Sequence, residues 1–114
     1  MPYTPKQFNE LVQEFLENEE HTLGWKRGEY SSDTDRLQNF REVALFEGRT
    51  MPEVVMSWLL KHIQSINMVA RGGEVKWYWH DGEGREGLKQ RIADARIYLL
   101  LLAACIDEGE GNEA

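Results

Sequence analysis

The sequence predicts an all-α protein, with four helices packed as a four-helix bundle or a variant of one. Three observations predict it. Apolar residues recur three and four positions apart in four separate stretches. Residues that start and stop helices bracket those stretches. The connections between them are short, apart from one aromatic segment at 74–85.

Thr4 is placed to cap a first helix opened by Pro5, where the missing proline N–H costs nothing. Phe8, Leu11, Val12, Phe15 and Leu16 follow at helical spacing, so this helix runs to about His21, or past Leu23 if Gly24 permits. Ser31-Ser32-Asp33-Thr34 reads as a cap and turn cluster. Leu37, Phe40, Val43, Ala44 and Phe46 form a short second helix, which Gly48 ends. Thr50 caps the third, with Pro52 and Glu53 in its first turn. Its apolar stripe is Val55, Trp58, Leu59, His62, Ile63, Ile66 and Val69, and Gly72-Gly73 stops it. The Val75-Lys76-Trp77-Tyr78-Trp79 run reads as a short strand, one arm of a hairpin, or an ordered loop before the last helix. That helix spans about Glu86 to Asp107, with Leu88, Ile92, Ala95, Leu99 and Leu102 on one stripe. Leu100 and Leu101 widen the stripe, which predicts burial on several sides or a subunit contact, and hence a homo-oligomer. Residues 1–108 read as a single helical domain and 109–114 as an acidic, disordered tail.

The 114 residues suit one domain, and four each of Trp, Tyr and Phe supply apolar surface for its core. A net charge of −7 repels duplex phosphates, which argues against naked duplex nucleic acid as a partner. A local basic patch can still hold a small anion, because a pocket senses the charges nearest to it. The one cysteine, Cys105, cannot form an internal disulfide and sits in an apolar run, which suits a buried, inert thiol. The first residues lack a signal peptide's apolar stretch. The longest apolar run, Ile97 to Ile106, is about half a bilayer span, so no membrane partner is expected. The expected location is the cytoplasm.

Four groups of residues carry chemical interest. Glu10, Glu14 and Glu17 lie three and four apart on the first helix, a spacing with which two carboxylates can grip one Mg²⁺; a solvated acidic face has the same spacing. Lys26, Arg27, Glu29, Tyr30, Asp35, Arg36 and Asn39 concentrate hydrogen-bonding groups around the turn cluster, where they suit a phosphate or a base edge, or ordinary surface solvation. Lys61 and His62 sit mid-way along the third helix, Lys61 at the border of the apolar stripe and His62 on it. They are candidate catalytic groups, or a snorkelling lysine and a hydrogen-bonded core histidine. Asp94 interrupts the apolar last helix on a row of four with Glu86, Gln90 and Tyr98. A carboxylate there must be paired, hydrogen-bonded or metal-bound, with Arg91 or Lys61 as the expected cation in a structural pair.

Four blocks carry a resemblance. They are Lys26-Arg27-Gly28-Glu29-Tyr30, Asp35-Arg36-Leu37-Gln38-Asn39-Phe40, Lys61-His62-Ile63-Gln64-Ser65-Ile66, and Ile92-Ala93-Asp94-Ala95-Arg96-Ile97-Tyr98-Leu99-Leu100-Leu101. In this order they resemble small bacteriophage proteins linked with nucleotide modification, which are distantly similar to the MazG-like all-α nucleotide pyrophosphohydrolases. The resemblance spans about two thirds of the chain. It implies a helical, oligomeric, Mg²⁺-dependent enzyme that cleaves the α–β phosphoanhydride of a nucleoside triphosphate, in a host cell's cytoplasm if the chain is phage-encoded. Glu14-x-x-Glu17 matches the family's first acidic pair, and Asp94 the last acid of its second. Arg91 stands where that second motif has Glu, and Gln90 beside it is not an acid either.

The resemblance thus assigns Mg²⁺ to Glu14, Glu17 and Asp94, and phosphate neutralisation to Lys61 and Lys26, with His62 beside Lys61 in the catalytic group. Glu29, Tyr30, Arg36, Asn39 and Tyr98 join Lys26 as the substrate-binding set. Two further readings stay open. The same pocket binds a nucleotide without hydrolysing it, or the chain is a non-enzymatic protein that binds a host protein through its aromatic segment.

Overall fold

The computed structural model describes residues 1–25 and 35–113, and among these it contains four helices and no strand. Helix α1 is Pro5–Trp25, α2 is Gln38–Glu47, α3 is Met51–Ala70 and α4 is Leu88–Glu113.

The local signals act where the sequence places them. Thr4 Oγ1 accepts from the Gln7 N–H at 3.1 Å, and Gln7 Oε1 accepts from the Thr4 N–H at 2.9 Å. This reciprocal cap satisfies N–H groups that the first turn leaves without partners. Thr50 and Glu53 form the same box at the start of α3. Gly48 closes α2 in the left-handed conformation, φ +67°, and its N–H donates to the Ala44 carbonyl. The Ser31–Thr34 cap cluster lies outside the described residues, and at the observed start of α2 Leu37 provides no side-chain cap.

Residue pairs fix the directions of the helices. Ser65 meets Arg91, and His62 meets Tyr98, so α3 and α4 run antiparallel. Glu14 meets Lys89, and Glu19 meets Arg96, so α1 and α4 run parallel. The arrangement is therefore a variant of the up-and-down bundle. The core gathers Leu37, Phe40 and Ala44 of the α2 region, Val54 and Val55 of α3, and Ile97, Leu101 and Cys105 of α4. Phe40, Val54 and Val55 are fully buried. Phe40 packs on Trp58, and Trp58 meets the edge of Tyr98.

Helix α4 corrects the sequence reading in two ways. Its buried face is Gln90, Asp94, Ile97, Leu101 and Cys105, with Ala93 and Ala95 beside it. The expected stripe through Leu88, Ile92 and Leu99 lies to one side, and Leu99 is half exposed. The cause is that α4 touches both α3 and α1, which cover different sides of it. The helix also continues to Glu113, through residues expected to belong to a disordered tail. Arg41 anchors that end, with bonds of 2.9 and 2.7 Å to the two oxygens of Glu108. Phe46, expected on the α2 stripe, is exposed.

The 74–85 segment forms neither a strand nor a hairpin of strands. One isolated antiparallel bridge joins His80 to Glu86. The Asp81 carboxylate accepts from the Glu83 and Arg85 N–H groups, and the Asp81 N–H donates to the Arg85 carbonyl, which closes the turn. Gly87 is required sterically: a Cβ there would stand 2.0 Å from the Tyr78 carbonyl oxygen. No helix among the described residues is long and apolar enough to cross a membrane.

Candidate functional site

Three places hold the candidate residues, and the structure keeps them separate.

The first lies between α1 and the aromatic loop. Glu14 Oε1 accepts from the Trp79 indole N–H at 2.8 Å and from Lys89 Nζ at 2.7 Å. The Lys89 hydrogen bond, with a smaller contribution from Trp79, holds the Glu14 carboxyl below the usual glutamate range against a partial desolvation. Lys89 also lies over the Trp77 ring, 5.1 Å from its centroid, and Trp79 packs on Phe15 at 4.9 Å. Glu14 is thus the anchor that ties this loop to α1. Glu17 is exposed on the outer face of α1.

The second lies along the α3–α4 contact. Asp94 is 6% exposed, and its Oδ1 accepts from Gln90 Nε2 at 2.8 Å. The cations expected beside it are elsewhere: Arg91 donates to Ser65 at 2.7 Å, and Lys61 is exposed. One turn further, half-buried Tyr98 faces half-buried His62, with ring centroids 5.0 Å apart and planes 31° apart.

Glu14, Glu17 and Asp94 do not converge, and no three His, Cys, Asp or Glu side chains among the described residues gather as a metal site. These residues do not fit the Mg²⁺ site that the resemblance implies. The spacing of Glu14 and Glu17 is correct for a shared ion, but Glu14 is committed to a lysine and a tryptophan.

The third is at the end of α1. Arg36, just before α2, donates from Nη2 to the Leu23 carbonyl at 3.1 Å, filling one of the acceptors left open at a helix C-terminus. Its Nη1 is buried and finds no hydrogen-bond partner among the described residues. The next residue, Leu37, belongs to the core cluster on which Leu23, Trp58 and Tyr98 pack. Asn39 is half-buried on the first turn of α2. Lys26, Glu29 and Tyr30 lie outside the described residues.

Glu19 is the residue that sequence reasoning missed. It is 8% exposed and pairs with Arg96 at 3.1 Å. The signal was present, because Phe8, Val12, Phe15 and Glu19 share one helical row. Cys105 lies in the core as expected, and burial pushes its thiol up, away from the reactive thiolate form.

Compared with protein families, curated proteins and solved structures, the chain matches none.

Proposed function

We propose that the chain binds a nucleotide and that Arg36 grips its phosphate. The observation that carries this reading is the buried Nη1 of Arg36, a charged donor with no acceptor among the described residues. Buried donors in folded proteins are rarely left unpaired. A phosphate oxygen is the acceptor that matches a guanidinium best, in charge and in planar geometry. A hydrogen bond to such a charged group contributes about 1.5–3 kcal/mol, or roughly 10- to 150-fold in affinity.

The resemblance to phage nucleotide-modification proteins selects a nucleotide over other anions. It also adds Lys26, Glu29 and Tyr30 as further contacts, six to ten positions ahead of Arg36 in the chain. In this reading Tyr98 and Asn39, with His62 packed on Tyr98, contact base or sugar. Because Glu14, Glu17 and Asp94 do not fit a shared Mg²⁺, no hydrolytic step is assigned to them, and Lys61 and His62 are given no catalytic role.

The test is a titration of the full chain with each nucleoside triphosphate and with inorganic phosphate, with and without Mg²⁺, followed by analysis for monophosphate and pyrophosphate. Saturable binding of a triphosphate without turnover is the expected result. Release of pyrophosphate would keep the nucleotide reading and restore the hydrolase. Absence of binding to every nucleotide would overturn it.

A further inference from the structure

Helix α1 is held to the fold at few points. None of its described residues belongs to the buried core cluster, and only Leu23, near its end, packs against it. Among its described side chains only Phe15, Glu19 and Thr22 are buried. Among the described helices it lies close to α4 alone. Its N-terminal half does not close on its surroundings: a groove of about 260 Å³ remains between it, Trp77 and α4, and Phe8 in the wall of that groove is 55% exposed.

The ties between α1 and α4 are two ion pairs, Glu14 with Lys89 at 2.7 Å and Glu19 with Arg96 at 3.1 Å. One partner in each pair, Glu14 or Arg96, is more than a third exposed. Pairs open to water on one side contribute little each, so α1 can part from α4 at a lower cost than unfolding the core.

The remaining tie is Arg36. Its Nη2 donates to the Leu23 carbonyl at 3.1 Å, while its Nη1 is buried and has no partner among the described residues. The guanidinium is a rigid plane, so holding one amino group fixes the direction of the other. With α1 in place, Nη1 points one way. With α1 parted, the side chain regains its rotamers and loses that direction.

We infer that α1 is a docking arm that positions Arg36 for an anion, so that ligand binding and the docking of α1 strengthen each other. This rests on the reading of Arg36 as the phosphate grip. The coupling is reciprocal: the factor by which docking raises affinity is the factor by which ligand favours docking. Glu19 and Arg96 act on the ligand only through α1 and Arg36, as positioning residues.

Hydrogen exchange of the full chain, with and without a nucleoside triphosphate, tests this. In the free wild type, residues 11–23 should exchange faster than residues 54–66 of α3. Arg36→Met should quicken exchange over 11–23 by about tenfold or more and leave 54–66 unchanged. Glu19→Gln should quicken 11–23 by roughly two- to fivefold. Triphosphate at ten times its Kd should slow exchange over 11–23 by about tenfold in the wild type and in Glu19→Gln, but not in Arg36→Met. The inference is overturned if 11–23 and 54–66 exchange alike in the free wild type, or if either variant quickens both segments equally. It is equally overturned if triphosphate binds and leaves 11–23 unchanged. Should Arg36→Met fail to fold, Glu19→Gln decides by the same comparisons. The tie between Arg36 and α1 is read without ligand, so a wild type that binds no triphosphate overturns the nucleotide reading and its coupling to docking, but not the tie.

Discussion

The carboxylate of Glu14 stands 2.7 Å from the ammonium of Lys89, 75 residues away in the chain, and the same oxygen accepts from Trp79. Together with Glu19 and Arg96, this pair sets α1 parallel to α4. It also fixes the aromatic loop, since Trp77 and Trp79 close around the two charges.

Glu14 therefore makes stability depend on pH. Its pKa is lowered by Lys89, so its contribution is full above the unfolded glutamate range and is lost as pH falls through the lower, folded value. Glu14 is 38% exposed, and a pair of this kind is worth about 1 kcal/mol at most. Glu14→Gln should lower the melting temperature at pH 7, and the difference from wild type should disappear in acid well below the lowered Glu14 value. Thermal melts at the two pH values check this. A difference that persists at acid pH would show that the ion pair is not its source.

Glycines 87 and 109 should respond in opposite directions to alanine. A Cβ at Gly87 meets the Tyr78 carbonyl at 2.0 Å, so Gly87→Ala must move backbone and should cost about 1–3 kcal/mol or more. Gly109 is inside α4 with open space where a Cβ would go, so Gly109→Ala should stabilise by about 0.5–1 kcal/mol. Denaturant unfolding of both variants gives the two signs.

Most helix ends were legible because capping is local chemistry. Thr50 with Glu53, Thr4 before Pro5, and Gly48 each act within four residues of their partners. The burial of Asp94 was legible for a similar reason, since it interrupts an apolar helix. Its partner was not. A buried carboxylate suggests a cation, and the structure supplies Gln90, its neighbour in the same row of four. The acids were misjudged because spacing gives a shared face but not the direction of that face. Glu14 and Glu17 have the spacing of an ion-binding pair, whereas Glu19 is the glutamate that α1 buries. The core face of α4 was displaced because one apolar stripe describes a helix with one neighbour, and α4 has two.

The Gln90–Asp94 pair makes its own prediction. Gln90→Leu removes the amide that donates to a carboxylate only 6% exposed. Leaving such a group unpaired costs about 1–3 kcal/mol. Asp94→Asn retains an acceptor for Gln90 and should change stability by less than about 1 kcal/mol. If Asp94→Asn instead melts far below Gln90→Leu, a cation holds Asp94 and the assignment to Gln90 is wrong.

Arg41 joins Asp35 and Glu108, and both carboxylates are held below their usual range chiefly by its hydrogen bonds. Arg41→Gln should release the last turns of α4. Hydrogen exchange should quicken at residues 106–113 and stay unchanged at residues 92–101. Equal protection in wild type and variant would show that α4 holds its end without this clamp.

The most direct test of the central claim is the calorimetric affinity of a nucleoside triphosphate for the wild type, Arg36→Lys and Arg49→Gln. Arg36→Lys keeps the positive charge but loses the planar fork that reaches Leu23 and the unpaired position together. Arg49 is a control whose guanidinium is occupied by Glu47, Ser57 and the Glu53 carbonyl. The account predicts saturable binding by the wild type, unchanged binding by Arg49→Gln, and a loss of at least roughly tenfold for Arg36→Lys with the helical spectrum intact. Equal affinity in wild type and Arg36→Lys would contradict it.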